Sequence, residues 1–223
     1  MAKFLELDLT TDIGRAADWS GTLAKQLPFV VSKALNDTAF DARTSLSGAT
    51  RQYFDRPTTF TQKGFQVERS SKRDLEVAIG AEQKRARYLI TEITGGARSQ
   101  KAFENLFSSL GGLPSGTQMV PTSAIKLDKS GNVSLATLRR IKQGLSSDPR
   151  GGFFIGQPRN NPGLPPGIYR RSRLKLTPYF VSIAGQAHYS PRFPMLDVVS
   201  KVYERRYGQY FMSALERALA TAR

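Results

Sequence analysis

The sequence contains few side chains that could carry out catalysis. It has no cysteine and a single histidine, His188, which excludes thiol chemistry and makes a zinc site an unfavourable prediction. The acidic residues, among them Glu76, Glu92, Asp128 and Asp197, are scattered without the spacing of a metal-binding or acid–base motif. Because catalysis needs titratable groups that converge, we expect a protein that is not an enzyme, with no catalytic residues, no metal and no cofactor.

Known sequence motifs for nucleotide binding and hydrolysis are also missing. The chain has no G-x-x-x-x-G-K-[ST] phosphate loop, no G-x-G-x-x-G after a strand and no G-x-S-x-G nucleophile turn. His188 stands in a link between two predicted elements, where a lone histidine is more often structural or exposed than catalytic.

Basic residues, in contrast, are abundant and grouped. Lys and Arg total 33 and Asp and Glu total 18, which gives a formal net charge of +15 and an isoelectric point near 10.3. Such a charge predicts a polyanionic neighbour, such as nucleic acid, a membrane surface or an acidic protein; the alternative is a solvated basic surface. Two groups are Lys84, Arg85 and Arg87, and Arg139, Arg140 and Lys142. The candidate partner or DNA contacts are Lys72, Arg73, Arg159, Arg170, Arg171, Arg173 and Lys175.

No sequence-reading motif accompanies these basic groups. Helix-turn-helix, zinc-finger and RNA-recognition signatures are all missing, so we expect passive contact with phosphates or with an acidic protein rather than sequence-specific recognition. No run of about 18 apolar residues is present, and we expect no membrane partner.

The elements that must position these residues begin with the C-terminal stretch. Apolar residues from Met195 to Ala222 recur at spacings of three, four and seven, which predicts one long amphipathic helix. Pro194 fits the first turn, and Gly208 marks a kink or a close helix contact.

The N-terminal part predicts two helices. The first covers Thr10 to Gln26, and the second runs from Pro28 to about Ser45, with Pro28 breaking or restarting the helix. The second is rich in small residues on one side, which favours close packing against the C-terminal helix.

A change to period-two alternation predicts a β-hairpin, Gly64–Arg69 and Asp74–Gly80, with a basic tip. Tyr88–Ile93 is predicted to be a strand, followed by a glycine turn and by a short helix that Ser99 caps.

Residues 111–177 hold most of the glycines and prolines. Within and after them we predict a helix at Ser134–Gly144 and strands at Gly152–Gly156, Gly167–Arg171 and Pro178–Ala184. A Pro/Gly-rich loop separates the first two strands, and loops of this length in compact domains are usually either functional or disordered.

Together these elements predict one α+β domain spanning residues 1–223. An antiparallel β-sheet packs against the N-terminal and long C-terminal helices, and residues 111–177 form a Gly/Pro-rich, insertion-like central excursion.

Two segments give the sequence a resemblance to a known group of proteins. LPFVVSKALNDTAFDAR (27–43) is a small-residue helix that begins at a proline, and SPRFPMLDVVSKVYERRYGQYFMSALERALATAR (190–223) is a terminal helix entered through a basic, proline-bearing link. With YLITEITGGARSQKAFE, GGFFIGQPR and GIYRR between them, the chain resembles the minor tail protein Z-like, tail-completion (neck) proteins of tailed bacteriophages.

The resemblance implies a virion structural protein, assembled in the host cytoplasm. It implies a homo-oligomeric ring at the head–tail junction, with connector or head-completion proteins and tail proteins as neighbours and non-specific contact with packaged DNA. The alternative hypothesis is a free, basic nucleic-acid-binding accessory protein. The first should accompany particles and bind DNA weakly, and the second should bind DNA or RNA tightly on its own.

Overall fold

The computed structural model describes the backbone of residues 2–8, 21–81, 83–110, 116–147, 152–173, 175–183 and 187–221. The elements in chain order are β1 (Ala2–Asp8), α1 (Gly21–Tyr53), α2 (Thr59–Gln62), β2 (Phe65–Glu68), β3 (Glu76–Ala81), α3 (Gln83–Thr94), β4 (Gly96–Ala97), α4 (Ala102–Ser109), β5 (Gln118–Pro121), α5 (Leu135–Ser147), β6 (Phe153–Gly156), β7 (Gly167–Arg171), β8 (Leu176–Ile183), β9 (His188–Tyr189) and α6 (Met195–Thr221). The α+β class, with antiparallel sheets and long N- and C-terminal helices, is confirmed.

The chain divides into two compact units rather than the single domain expected. Met1–Thr94 with Pro191–Arg223 make the first unit, and Gly95–Ser190 make the second. The reason is that the described apolar side chains form separate cores, one under α1 and α6 and another within the second unit.

The first unit contains a three-stranded antiparallel sheet in the order β1-β3-β2. The predicted hairpin is confirmed: Phe65 of β2 lies opposite Ala81 of β3, and Glu68 lies opposite Ala78. The central strand β3 is buried almost throughout. Strand β1 on its other side was not predicted from the sequence.

Helix α1 is longer than predicted, because Pro28 neither breaks nor restarts it. Proline removes one helical hydrogen bond, at a cost of about 3 kcal/mol. The buried side chains of Leu27, Val30 and Val31 continue one apolar stripe past it, and their burial holds the helix together. The short helix predicted from residue 10 lies mainly outside the described residues, and its described end belongs to α1.

Helix α6 enters the first core through Phe193, the residue just ahead of it. The Phe193 ring stacks on Phe54 at 5.2 Å and on Phe65 at 5.7 Å between centroids, and Tyr53 meets it edge-on at 5.9 Å. The main-chain N–H of Phe193 also donates to the carbonyl of Glu92 at 2.9 Å. The start of α6 is therefore fixed by aromatic packing.

The strand predicted at Tyr88–Ile93 is wrong, since this segment belongs to helix α3. Leu89 and Ile93, four residues apart, pack against the first core, whereas Ile90 between them is 42% exposed. A short apolar run fits both a strand and a helix, and here burial follows the helical period.

The second unit is built on a four-stranded antiparallel sheet in the order β5-β8-β7-β6, with a separate β4–β9 ribbon. Phe107 of α4, Ile141 of α5 and Phe180 of β8 are fully buried in its core. Residues 111–177 are therefore not a loop-rich excursion, because their described part supplies three of the four strands and much of that core.

The two predicted helix caps in this unit have different outcomes. Ser134 does cap α5, where its hydroxyl accepts the N–H of Thr137 at 3.2 Å. Ser99 does not cap α4, which begins at Ala102. Instead the carboxylate of Glu104 accepts the N–H of Lys101 at 2.7 Å, as in a capping box.

Candidate interaction surface

The second unit carries most of the net positive charge of the protein. Residues 95–190 contain 13 Lys and Arg and 3 Asp and Glu, a net charge of +10 out of +15. Of these acids, Glu104 is fully buried, and Asp128 accepts the main-chain N–H groups of Ser130 and Asn132 at 2.9 Å; Asp148 lies outside the described residues. The described surface of this unit is thus strongly basic.

Four of the candidate contact residues gather at the turn between β7 and β8. Ser172 and Lys175 exchange main-chain hydrogen bonds of 2.9 and 3.3 Å, and the Ser172 hydroxyl donates to the Lys175 carbonyl at 3.1 Å. This tight turn places Arg170, Arg171, Arg173 and Lys175 within a few residues of one another, and all four are exposed. We call these four residues the basic turn.

The two arginines at the end of β7 leave opposite faces of the sheet. Side chains alternate along a strand, and Arg170 lies over the ring of Phe153 at 5.9 Å whereas Arg171 lies over the ring of Phe154 at 5.1 Å. These cation–π contacts hold both guanidinium groups beside β6. A partner that meets both arginines must therefore approach the end or the edge of the sheet, not one face.

Arg159 is not part of the basic turn. It stands in the loop at the other end of β7, and the five-residue strand spans about 13 Å at ~3.3 Å per residue. The loop is closed by its own hydrogen bonds: Gln157 Nε2 donates to the carbonyl of Pro162 at 3.0 Å, and the Tyr169 hydroxyl donates to the carbonyl of Pro165. The Tyr169 side chain is fully buried, and this burial raises its pKa.

Lys72 and Arg73 form a different patch, in the first unit. Both are exposed in the turn between β2 and β3, where Ser71 and Asp74 exchange main-chain hydrogen bonds of 2.6 and 3.2 Å. The Lys72 ammonium lies 5.1 Å from the centroid of the Phe29 ring. The sequence therefore grouped candidates that belong to two units.

The candidate cations have no carboxylate partner within the described part of the chain. None of the seven takes part in an ion pair there, whereas Arg98 and Arg192 each pair with a glutamate. Aromatic contacts orient three of them, so their charges remain available to an anion from outside the chain.

A buried ion pair that the sequence analysis did not identify organises the second unit. Arg98 Nη1 and Nη2 donate to Glu104 Oε2 at 2.8 Å and Oε1 at 2.6 Å, and the N–H groups of Lys101 and Met119 add bonds of 2.7 and 3.0 Å. Burial raises the pKa of Glu104, but these hydrogen bonds outweigh burial and leave the pKa below its ordinary value. The signal in the sequence was a glutamate three residues after Lys101, which becomes the third position of α4 once the helix is seen to begin at Ala102 rather than after Ser99.

Candidate catalytic groups stay apart in the described residues. His188 is exposed on β9, opposite Ala97 of β4, and no cluster of three potential metal ligands occurs in the described ranges. A cavity of about 390 Å³ lies in the first unit between α1 and α6. Its charged walls include Lys33 and Asp37, which already pair with each other.

The chain matches no protein-family model, no curated protein and no solved structure. None of the helices in the described ranges has the length and apolar character that crossing a membrane requires.

Proposed function

We propose that this protein is a structural, non-enzymatic subunit of a tailed-bacteriophage particle. In this proposal it forms a homo-oligomeric ring at the neck and completes the tail by joining the connector to it. The observation that carries the proposal is the basic turn, which is exposed, unpaired within the described chain and placed on a unit of net charge +10.

A subunit of this kind needs a packed body as well as a contact surface, and the first unit has such a body. Its two long helices pack against each other through Val30, Leu215 and Ala218, all buried. Asn36 of α1 exchanges two hydrogen bonds with the main chain of Ser70, of 3.0 and 3.1 Å, and so ties α1 to the hairpin. These contacts support the proposal of an assembly component.

The partners follow from the charge. We propose that the basic turn contacts an acidic surface of a connector, head-completion or tail protein, and that packaged DNA meets other basic side chains without sequence selection. The protein is then found in the virion after assembly in the host cytoplasm.

A free nucleic-acid-binding accessory protein is the second candidate. The arginines held over Phe153 and Phe154 favour it, since cations next to aromatic rings are common where single strands bind. Its binding would be tight at physiological salt and steeply weakened by added salt. Titration of an oligonucleotide at two salt concentrations separates the candidates, because the ring subunit binds only weakly.

The proposal is tested by replacing Arg170, Arg171 and Arg173 together with glutamate. All three are exposed, so we expect an unchanged circular dichroism spectrum and melting temperature but no incorporation into particles. The matched control changes Lys129, Arg139 and Arg140 to glutamate, the same change of charge at exposed positions of the same unit. Normal incorporation of the first variant, or equal loss in both variants, would contradict the assigned contact.

A further inference from the structure

The two edges of the four-stranded sheet differ in their capacity to accept another strand. On β5, Thr122 donates its N–H to Tyr179 of β8 at 2.9 Å, so by alternation the main-chain groups of Met119 and Pro121 point away from the sheet. The Met119 N–H is taken by Glu104 at 3.0 Å, and proline has no N–H. The edge of β5 therefore offers no main-chain donor at either position.

The edge formed by β6 pairs with no strand of the described residues. Arg171 of β7 donates its N–H to Gly152, which fixes the ladder: Phe154 and Gly156 bond to β7, and the N–H and C=O groups of Phe153 and Ile155 point outward. No residue of the described chain bonds to these four groups. Main-chain polar groups need a partner or water, so this edge can pair with an added strand.

The charges beside this edge select the strand. Arg170 lies over Phe153 on one face of the sheet, and Arg171 lies over Phe154 on the other, so a strand beside β6 meets a guanidinium on each face. A second copy pairing there would bring two units of net charge +10 together. Repulsion disfavours that pairing, and it favours a segment that carries carboxylates.

We propose that β6 is a strand-addition site for an extended, acidic segment of a partner protein. The main chain of the segment pairs with Phe153 and Ile155, and acidic side chains at neighbouring positions, which point to opposite faces, pair with Arg170 and Arg171. The inference rests on the proposed function only in taking the partner to be a particle protein. The pairing of an acidic strand with β6 does not depend on that assignment.

The test uses two variants of one residue in the full chain. Ile155→Pro removes an outward N–H without breaking a bond to β7, as proline does naturally at an edge position. Ile155 is partly buried against the second core, so Ile155→Ala is the matched control, which loses the side chain but keeps the N–H. The probe is a fluorescein-labelled ten-residue peptide of Val, Thr and Glu, compared with the same peptide carrying Lys in place of Glu.

We expect the acidic peptide to bind at least tenfold more tightly than the basic one. Ile155→Pro should weaken its binding at least tenfold and Ile155→Ala less than threefold, as measured by fluorescence anisotropy. Hydrogen exchange followed by NMR on the wild-type chain gives a second measurement, which does not depend on a variant folding. The amides of Phe153 and Ile155 should become protected when the acidic peptide is bound.

Several results would overturn the proposal. Equal binding by the proline and alanine variants, together with unprotected amides, would make the edge a purely electrostatic patch. Protection by a single-stranded oligonucleotide instead of the peptide would assign nucleic acid. Sedimentation showing a dimer that Ile155→Pro abolishes would assign a second copy. Loss of peptide binding with normal particle incorporation of Ile155→Pro would rule out a particle protein as the partner and leave the strand-addition site itself standing.

Discussion

The carboxylate of Glu104 accepts the main-chain N–H of Met119 at 3.0 Å while it holds the guanidinium of Arg98. The buried Glu104 side chain thus neutralises the Arg98 guanidinium and also accepts the outward-pointing N–H of Met119 on β5. Since Pro121 closes the next outward position on that strand, strand addition is directed to the opposite edge, at β6. Glu104 therefore has two roles: its pairing with Arg98 stabilises the second unit, and its bond to Met119 leaves β6 as the sheet edge with free main-chain groups among the described residues.

Glu104→Gln should destabilise the second unit by about 3 kcal/mol, because removing one member of a buried pair leaves the other uncompensated. The Glu104 side chain is fully buried and that of Arg98 is 14% exposed. Urea denaturation followed by circular dichroism measures the loss. Asp55→Asn is the control, since its partner Arg56 is exposed, and it should leave the midpoint unchanged. Equal midpoints for Glu104→Gln and wild type would show that the pair contributes nothing.

The contribution of Glu104 should depend on pH in one direction. Although burial raises its pKa, hydrogen bonds from Arg98, Met119 and Lys101 keep it lower in the folded protein than in the unfolded chain, where it is about 4.3. The stabilisation is therefore complete above the unfolded value and is lost as the pH falls through the folded one. The free-energy difference between wild type and Glu104→Gln should be constant above about pH 5.5 and shrink below about pH 4.3. A difference that grows in acid would disprove this assignment.

Leu215→Asp should cost the first unit more than about 4 kcal/mol, because it places an unpaired carboxylate between α1 and α6. Leu215 is 5% exposed and packs with Val30 and Ala218. Leu219→Asp on the same helix is the control: Leu219 is 50% exposed, and a change within about 0.5 kcal/mol is expected. Thermal denaturation of both variants decides the matter, and an unaltered melting temperature for Leu215→Asp would mean that α6 is peripheral.

Gly167→Ala should destabilise the second unit by about 1–3 kcal/mol, through a steric clash. A Cβ at Gly167 would lie 2.2 Å from the carbonyl oxygen of Phe180, which is main chain and cannot swing away. Gly163→Ala in the adjoining loop meets nothing within 4 Å and should be neutral or slightly stabilising. The urea midpoint of each variant measures its stability. Equal midpoints would mean that the β8 main chain shifts to accommodate the added methyl group at no cost.

The sequence predicted elements best where one pattern ran long. Helix α6 follows an apolar stripe of about seven turns, and its described bounds match the prediction closely. Tyr88–Ile93 was misassigned because four apolar residues in six fit either period, and only burial of Leu89 and Ile93 against the first core selects the helix. The helix break predicted at Pro28 was wrong for a related reason. The free-energy cost of a proline inside a helix can be read from the sequence, whereas the tertiary packing that offsets this cost cannot.

The candidate surface was predictable as a set of charges but not as a shape. The sequence identified Arg170 and Arg171 as basic neighbours on a predicted strand, yet the aromatic ring that each guanidinium meets follows from the register of β7 against β6. Arg159 and Lys72 were grouped with them, although the structure puts one at the far end of β7 and the other in the first unit. The open edge of β6 depends on which main-chain groups pair across strands, information that side-chain types do not carry.

The central claim is that this protein is a structural part of a phage particle that docks through its basic turn. Its most direct test is quantitative mass spectrometry of particles purified from cells that carry the encoding genome, with the chain epitope-tagged in place. We expect a fixed number of copies per particle for the wild type and none for the Arg170→Glu, Arg171→Glu, Arg173→Glu triple variant. Recovery of the wild-type chain only in the particle-free fraction would contradict it.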